Sequence, residues 1–175
     1  MLKKLREALK SGQIVLIFGI IYGISQVIIG IILFPVLTEI GALQTSFSPE
    51  FVRDTLEAWR QSGELARYQQ HFLVDFIHPV WYTIALTAGL ANVFTMRSIP
   101  DRWNFFLLFP VIGGICDLIE NISHQNFIGN PDSITGAAVA ISAAAAWIKW
   151  ILLIGSLITV LIVRYAMKPK DSTSP

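Results

Sequence analysis

The sequence predicts an all-α integral membrane protein, in which four transmembrane helices form a bundle and a short amphipathic helix lies on the outer surface. Three observations lead to this prediction. The chain is strongly apolar, it contains four apolar runs of spanning length, and its basic residues concentrate in the segments expected on one side of a membrane.

The composition separates this chain from soluble domains. Of its 175 residues, 54% are hydrophobic and 14% are charged, against about 45–50% and about 25% in soluble domains. A net charge of +1, spread over scattered Lys and Arg, argues against a nucleic-acid partner. The single cysteine, Cys116, excludes an intrachain disulfide and dithiol chemistry. With no internal repeat or polar linker, we expect one membrane domain over residues 1–175.

The apolar runs define the predicted spans, because about 20 apolar residues in a helix cross the hydrocarbon core of a bilayer. They lie at about 14–37, 71–95, 103–123 and 137–163. The first run is too long for the apolar part of a secretory signal and lacks a small-residue cleavage site, so we count it as a span. Its stripe of Gly19, Tyr22, Gly23, Gln26 and Gly30 predicts a close helix approach at Gly19 and Gly23.

The loop at 38–70 is long enough to hold structure of its own. Ser48 followed by Pro49 is typical of a helix start, and Gly63 predicts its end. Arg53 and Glu57 are spaced for an i,i+4 ion pair. The face predicted to pack consists of Phe51, Thr55 and Trp59. We expect this helix to lie on the outer surface or cap the bundle, with simple packing favoured over a role as a lid.

The basic residues predict the orientation, because Lys and Arg favour the cytoplasmic side of short loops. Nine of the 13 lie at the N-terminus, in the 96–102 loop or near the C-terminus: Lys3, Lys4, Arg6, Lys10, Arg97, Arg102, Arg164, Lys168 and Lys170. Both termini are therefore predicted to be cytoplasmic. The lack of disulfides and of loops bearing glycosylation triplets favours the inner (plasma) membrane of a bacterium.

Ionisable residues recur on one face of the last three predicted spans. The second span carries a stripe of His71, Asp75, His78, Tyr82, Ala85, Gly89 and Asn92. The third carries Pro110, Gly113, Asp117, Glu120, Asn121 and His124, and the fourth carries Ala138, Ser142, Ala145, Lys149, Ser156 and Thr159. Because charged groups are costly at membrane depth, these stripes predict a polar bundle interior.

Counting turns places four of these groups at one depth, within roughly 10 Å of the outer boundary. They are Asp75, His78, Asp117 and Glu120. Lys149 begins deeper, but helical side chains lean toward the N-terminus, so its ammonium is predicted to rise toward the carboxylates. Three acids against one Lys leave a surplus of two negative charges. A carboxyl therefore retains its proton, a histidine is charged, a cation binds, or water enters.

Pro79 marks the same level of the second span. Its ring removes an amide proton and frees the carbonyl of Asp75, four residues earlier. We expect a kink there, with a spare acceptor at the depth of the polar groups.

These patterns lead to one principal function hypothesis, a membrane-embedded acid–base enzyme or binding protein for a lipid-like or amphiphilic ligand. The candidate catalytic residues are Asp75, His78, Asp117, Glu120 and Lys149. In this hypothesis Glu120 or Asp117 is the acid, His78 the base and Asp75 the group that orients it. The candidate ligand-binding residues are Tyr82, Asn121, His124 and His71, of which the two histidines are expected at the outer boundary.

Three other hypotheses stay open at this point. The same residues suit a proton- or cation-coupled transporter or channel subunit, a membrane-complex assembly subunit, or a buried salt-bridge cluster that fixes helix register. We predict no cofactor. We also predict no metal, since Lys149 opposes a cation and the paired Glu-x-x-His motifs of di-iron bundles are missing. The oligomeric state is open, including a homo-oligomer.

Overall fold

In a computed structural model, residues 1–166 of the chain are described, and every regular element among them is helical. The α-helices are α1 (Leu2–Leu9), α2 (Gly12–Leu33), α3 (Leu37–Thr45), α4 (Pro49–Ser62), α5 (Leu65–Asp75), α6 (His78–Met96), α7 (Phe109–Gly129) and α8 (Gly136–Leu161). Turns of 3-10 helix at Phe34–Val36, Asp101–Leu108 and Pro131–Ser133 connect them, and a π-helical turn at Ile162–Ala166 follows α8. The predicted orientation also used Lys168, Lys170 and the C-terminus, which lie outside the described residues.

Three helical segments are long and apolar enough to cross a membrane: Gly12–Thr45, Asp101–Gly129 and Gly136–Ala166. The pair α5 and α6 passes the same test jointly, with a bend of 47° between the two helices. The predicted all-helical class is therefore confirmed, with three to four candidate spans.

The second predicted span is two helices rather than one. It begins at Leu65 instead of residue 71 and breaks between Asp75 and His78, with Pro79 in the first turn of α6. The kink predicted from Pro79 is confirmed. The freed carbonyl of Asp75 accepts a hydrogen bond from Nδ2 of Asn121 at 3.2 Å. The break is therefore stabilised by a side chain from α7.

The helices of the bundle pack in the order α2, α6, α7 and α8, while α2 and α8 share at most a marginal contact within residues 1–166. A Cβ built on Gly113 would lie 3.0 Å from Cδ2 of Leu153, and one on Gly114 would lie 2.5 Å from Oγ1 of Thr83. These two glycines let α7 approach both α8 and α6 closely. The close approach predicted at Gly19 and Gly23 is wrong, since a Cβ at either would meet no described atom within 4 Å.

Helix α4 confirms the start and end predicted for it. The Ser48 hydroxyl accepts a hydrogen bond from the Phe51 amide at 3.1 Å, and Gly63 ends the helix at a φ of 86°. Of the predicted packing face only Trp59 is buried, and it packs inward with Val52 and Leu56, whereas Phe51 is exposed. Val52 and Trp59 are only about 20° apart around a helix, whereas Phe51 and Trp59 are about 80° apart.

The charged pair predicted on α4 was also wrong. Arg53 donates to the carbonyl oxygen of Ile134 at 3.1 Å, and Glu57 pairs with Arg60 at 2.6 Å. Trp59 Nε1 donates to Glu39 of α3 at 2.5 Å. These contacts tie α4 to α3 and to the segment before α8, so α4 is a packed cap over one end of the bundle.

Two apolar cores occupy the two ends of the bundle. The core beneath α4 contains Ile29, Leu33, Val36, Ile40, Leu43, Val52, Leu56, Trp59, Leu65, Tyr68, Phe72, Phe127, Ile128, Ile134 and Val139. The core at the other end contains Leu90, Ala91, Val93, Phe94, Leu107 and Val163. Along α5, α6, α7 and α8, a group of buried polar residues falls between these cores. We call them the polar layer, defined by His71, Asp75, His78, Tyr82, Asp117, Glu120, Asn121 and Lys149.

Candidate functional site

Lys149 of α8 stands at the centre of the polar layer. Its ammonium lies 2.6 Å from Oε2 of Glu120 and 3.0 Å from Oδ1 of Asp117, both on α7. The three side chains are almost fully buried. Lys149 therefore approaches the two carboxylates as its helical lean predicts, and its side chain bridges α8 to α7.

Tyr82 and Asn121 extend this network to α6 and α5. The Tyr82 hydroxyl donates to Oδ2 of Asp117 at 2.9 Å, so both carboxylate oxygens of Asp117 have a donor. Asn121 donates to the carbonyl of Asp75 and holds the α5–α6 break against α7. Both residues were predicted to bind a ligand, and Asn121 instead contacts the protein backbone.

His78, in the first turn of α6, is held by a residue that the sequence analysis did not select. Its Nδ1 lies 2.7 Å from Oγ of Ser25 on α2, and that hydroxyl donates its single proton to the carbonyl of Tyr22 at 2.9 Å. With the Ser25 proton on the Tyr22 carbonyl, we assign Nδ1 as the donor to Ser25 and Nε2 as the nitrogen with the free lone pair. Among the described residues, Ser25 and not Asp75 is the hydrogen-bond partner of the His78 ring.

His71 and His124 are deeply buried, each 2% exposed, and their predicted place at a solvated outer boundary is wrong. α5 and α7 extend beyond the predicted span ends, and the core under α4 covers both rings. His71 Nδ1 donates to the carbonyl of Tyr68, and its Nε2 lies 3.6 Å from Oδ2 of Asp75. His124 Nδ1 is hydrogen-bonded to the Tyr68 hydroxyl at 2.7 Å.

A cavity of about 370 Å³ adjoins the polar layer. Five ionisable residues line its polar end: His71, Asp75, His78, Asp117 and Lys149. Its apolar wall includes Ile29, Leu33 and Leu37 on one side and Leu153, Ile154 and Leu157 of α8 on the other. Because α2 and α8 scarcely touch, the cavity lies in the gap between them.

The cavity divides the predicted site residues into two groups. Asp75, His78, Asp117, Lys149, Tyr82 and His71 line it, whereas Glu120, Asn121 and His124 are not among its lining residues. Glu120 is 1% exposed, and its Oε1 has no hydrogen-bond partner among the described residues. Of the two predicted acids, only Asp117 borders the cavity, and Glu120 contacts Lys149, which also lines it.

The arrangement combines a free imidazole nitrogen, a carboxylate beside it and a buried ammonium at the wall of one cavity. These groups suit proton transfer to and from a polar group placed against them. Among residues 1–166, no group of three or more His, Cys, Asp or Glu side chains is disposed to hold a metal ion. Comparisons with family models, curated proteins and solved structures found no match for this chain.

Proposed function

We propose that this chain is an integral membrane protein that binds a lipid-like, amphiphilic ligand in the cavity between α2 and α8. The lipid-facing surface supports the first part. In the most apolar 18-residue stretch of each segment, only 11% is buried within the protein for Gly12–Thr45 and 22% for Gly136–Ala166. Exposed apolar residues include Leu16, Ile20, Ile24, Val27 and Ile31 of α2 and Ile148, Ile151, Ile154, Ile158 and Leu161 of α8. Such continuous apolar faces suit hydrocarbon rather than water.

The proposed topology has four crossings, with α5 and α6 as one broken span and both termini cytoplasmic. The N-terminus, the 96–102 loop and the end of α8 lie together, which supports it. Lys3 is 3.3 Å from Asp101, and Arg97 donates to the carbonyl of Arg164. Basic residues from three segments thus share one end of the bundle, as expected of a cytoplasmic face. A bacterial plasma membrane remains our proposed location.

One observation carries the ligand proposal: a single cavity has an ionisable end and an apolar wall, and it lies between two helices that scarcely touch. Ligand sites are typically apolar with a few convergent polar groups. A ligand that enters between α2 and α8 would place its polar group at the α5–α6 break and its apolar part along Leu33 and Leu157. Such entry requires no passage through water.

The polar end also supports acid–base chemistry on the bound molecule. In the proposed role, His78 accepts a proton on Nε2 while Ser25 holds its Nδ1–H, so the ring keeps one orientation during transfer. Asp75 and the Asp117–Lys149 pair stabilise the charge that develops beside it. These roles differ from the sequence-based hypothesis in that Ser25, and not Asp75, orients His78.

The test is to purify the protein with its native lipids and identify bound amphiphiles by mass spectrometry of the intact complex. Gly30→Phe should remove most of the bound ligand, because Gly30 lines the cavity and a Cβ there meets no described atom within 4 Å. Gly19→Phe is the matched control on the same helix, since Gly19 has equal room but does not line the cavity. A wild-type protein without ligand, or equal occupancy in the two variants, would contradict the proposal.

A further inference from the structure

We propose that the polar group of this ligand is a protonated amine, so that the cavity selects cationic amphiphiles over neutral and anionic ones. The inference rests on the proposed function, because it names the chemistry of the headgroup for the same cavity. Three independent features of the polar end support it.

The first feature is the charge of the polar layer. Asp75, Asp117 and Glu120 carry three negative charges when ionised, and Lys149 supplies one positive charge. The surplus is two negative charges with neutral histidines, and it is still one if His71 carries a second proton. Charge buried without a counterpart is costly, so a cationic ligand is favoured and a carboxylate or phosphate is disfavoured.

The second feature is the hydrogen-bonding capacity that the protein leaves unused. The Asp75 carboxylate accepts no hydrogen bond within 3.5 Å from the described residues, and its nearest partner is His71 at 3.6 Å. His78 is 5% exposed, and its Nε2 has no described partner. Because Nδ1 donates to Ser25, Nε2 carries the lone pair and is an acceptor. Both unused groups therefore require a donor, which the N–H groups of an ammonium supply.

The third feature is a set of aromatic rings around the same position. The ring centroids of Tyr22 and His78 are 5.2 Å apart, and those of His78 and Tyr82 are 5.4 Å apart. The Tyr22 and Tyr82 rings meet edge to face at 6.2 Å. All three residues line the cavity. Of these rings, Tyr22 and Tyr82 are the electron-rich ones, and such rings beside a carboxylate attract organic cations and give no comparable attraction to anions.

To test this, the purified protein in a neutral detergent is mixed with equimolar amounts of four probes of equal chain length. They are dodecylamine, dodecyltrimethylammonium, dodecanol and dodecanoate, and the bound species are counted by mass spectrometry of the intact complex. We expect the amine to exceed the alcohol by about tenfold or more. The trimethylammonium probe should be intermediate, because it has the charge without N–H donors, and dodecanoate should bind least.

Asp75→Asn should abolish the preference for the amine over the alcohol, while Asp132→Asn, which removes an exposed acid outside the cavity, should retain it. If Asp75→Asn does not fold, the probe series on the wild-type protein still decides the question. Equal binding of all four probes, or a preference for dodecanoate, would overturn the headgroup assignment and leave amphiphile binding intact. Failure of every probe to bind would overturn the proposed function itself.

Discussion

Arg6 and Lys149 are both deeply buried cations, but their surroundings differ in kind. Arg6 donates from Nη1 to the carbonyl of Ile99 at 2.7 Å and from Nε to Thr95 at 3.2 Å. Its carboxylate partner, Asp101, is 55% exposed in its side chain and lies 3.5 Å away. Lys149 instead contacts two carboxylates that are both buried.

The difference separates a cation with a structural role from one that borders the proposed ligand site. The neutral partners of Arg6 join α1 to the end of α6 and to the turn after it, so this side chain fastens the terminus of the bundle. The partners of Lys149 are charged, and one of them, Asp117, borders a cavity. Burial of a cation is therefore weak evidence for a site, and the charge and accessibility of its partners are stronger evidence.

Cysteine labelling should give the largest contrast between the end of the bundle under α4 and the end that contains Arg6, since each position is either labelled or unlabelled. In a Cys116→Ala background, cysteines at Thr55 and Ser133 should be modified from outside intact cells. A cysteine at Ser98, near Arg6, should react only after permeabilisation. The reverse pattern would place the Lys149 end of the bundle toward the cytoplasm and contradict the orientation that we propose.

Replacement of Lys149 should cost the most stability. Lys149→Met leaves Asp117 and Glu120 without their counter-charge, and we expect a loss of about 3–5 kcal/mol in the free energy of unfolding. Chemical unfolding of the purified protein, followed by its helical circular dichroism, measures this loss.

The double variants test whether that cost comes from the ion pairs. Adding Asp117→Asn or Glu120→Gln to Lys149→Met should recover much of the stability, because each removes an unpaired charge. A stable Lys149→Met protein with no coupling to either acid would mean that the carboxylates are balanced by protons, water or another cation.

Replacement of Arg6 should cost less, about 1.5–3 kcal/mol in the same measurement. Arg6→Met breaks several hydrogen bonds, but Asp101 is half exposed and remains solvated, so no buried charge is stranded. Lys4→Met, at an exposed position of the same helix, is the control and should change stability little. A loss as large as that of Lys149→Met would remove the distinction between the two cations.

The smallest effect is expected at Ser25. Ser25→Ala removes the acceptor of His78 Nδ1–H, and we expect a loss of about 0.5–1.5 kcal/mol in unfolding free energy. Ser123→Ala is the control, because within residues 1–166 its hydroxyl bonds only to the carbonyl of Ile119 in α7. No difference between the two variants would indicate that Ser25 does not fix the orientation of the His78 ring.

The sequence predicted those features that depend on neighbours along one helix. Ser48 and Gly63 bound α4, Pro79 accompanies the break, and Lys149 reaches the acids of α7. Each of these follows from local backbone geometry or from side-chain direction.

Other features depend on which surface covers a helix, and the sequence does not encode that locally. Hydropathy started the second span too late and ended the third too early, because Tyr68 and His124 lie in helical turns that protein, and not lipid, covers. Ser25 was missed because its partner lies 53 residues away on another helix. A hydroxyl next to Gln26 and one turn after Tyr22, within a largely apolar run, was the available signal.

The close approach at Gly113 and Gly114 has a consequence for how the protein would adapt to bilayers of different thickness. A helix longer or shorter than the hydrocarbon core adjusts largely by tilting. Close approach at Gly113 and Gly114 holds α7 against both α8 and α6 near the level of Lys149, whereas α2 packs on α6 without such an approach at Gly19 or Gly23 and scarcely touches α8. We therefore expect α2 to absorb the mismatch, so that membrane thickness sets the width of the gap between α2 and α8.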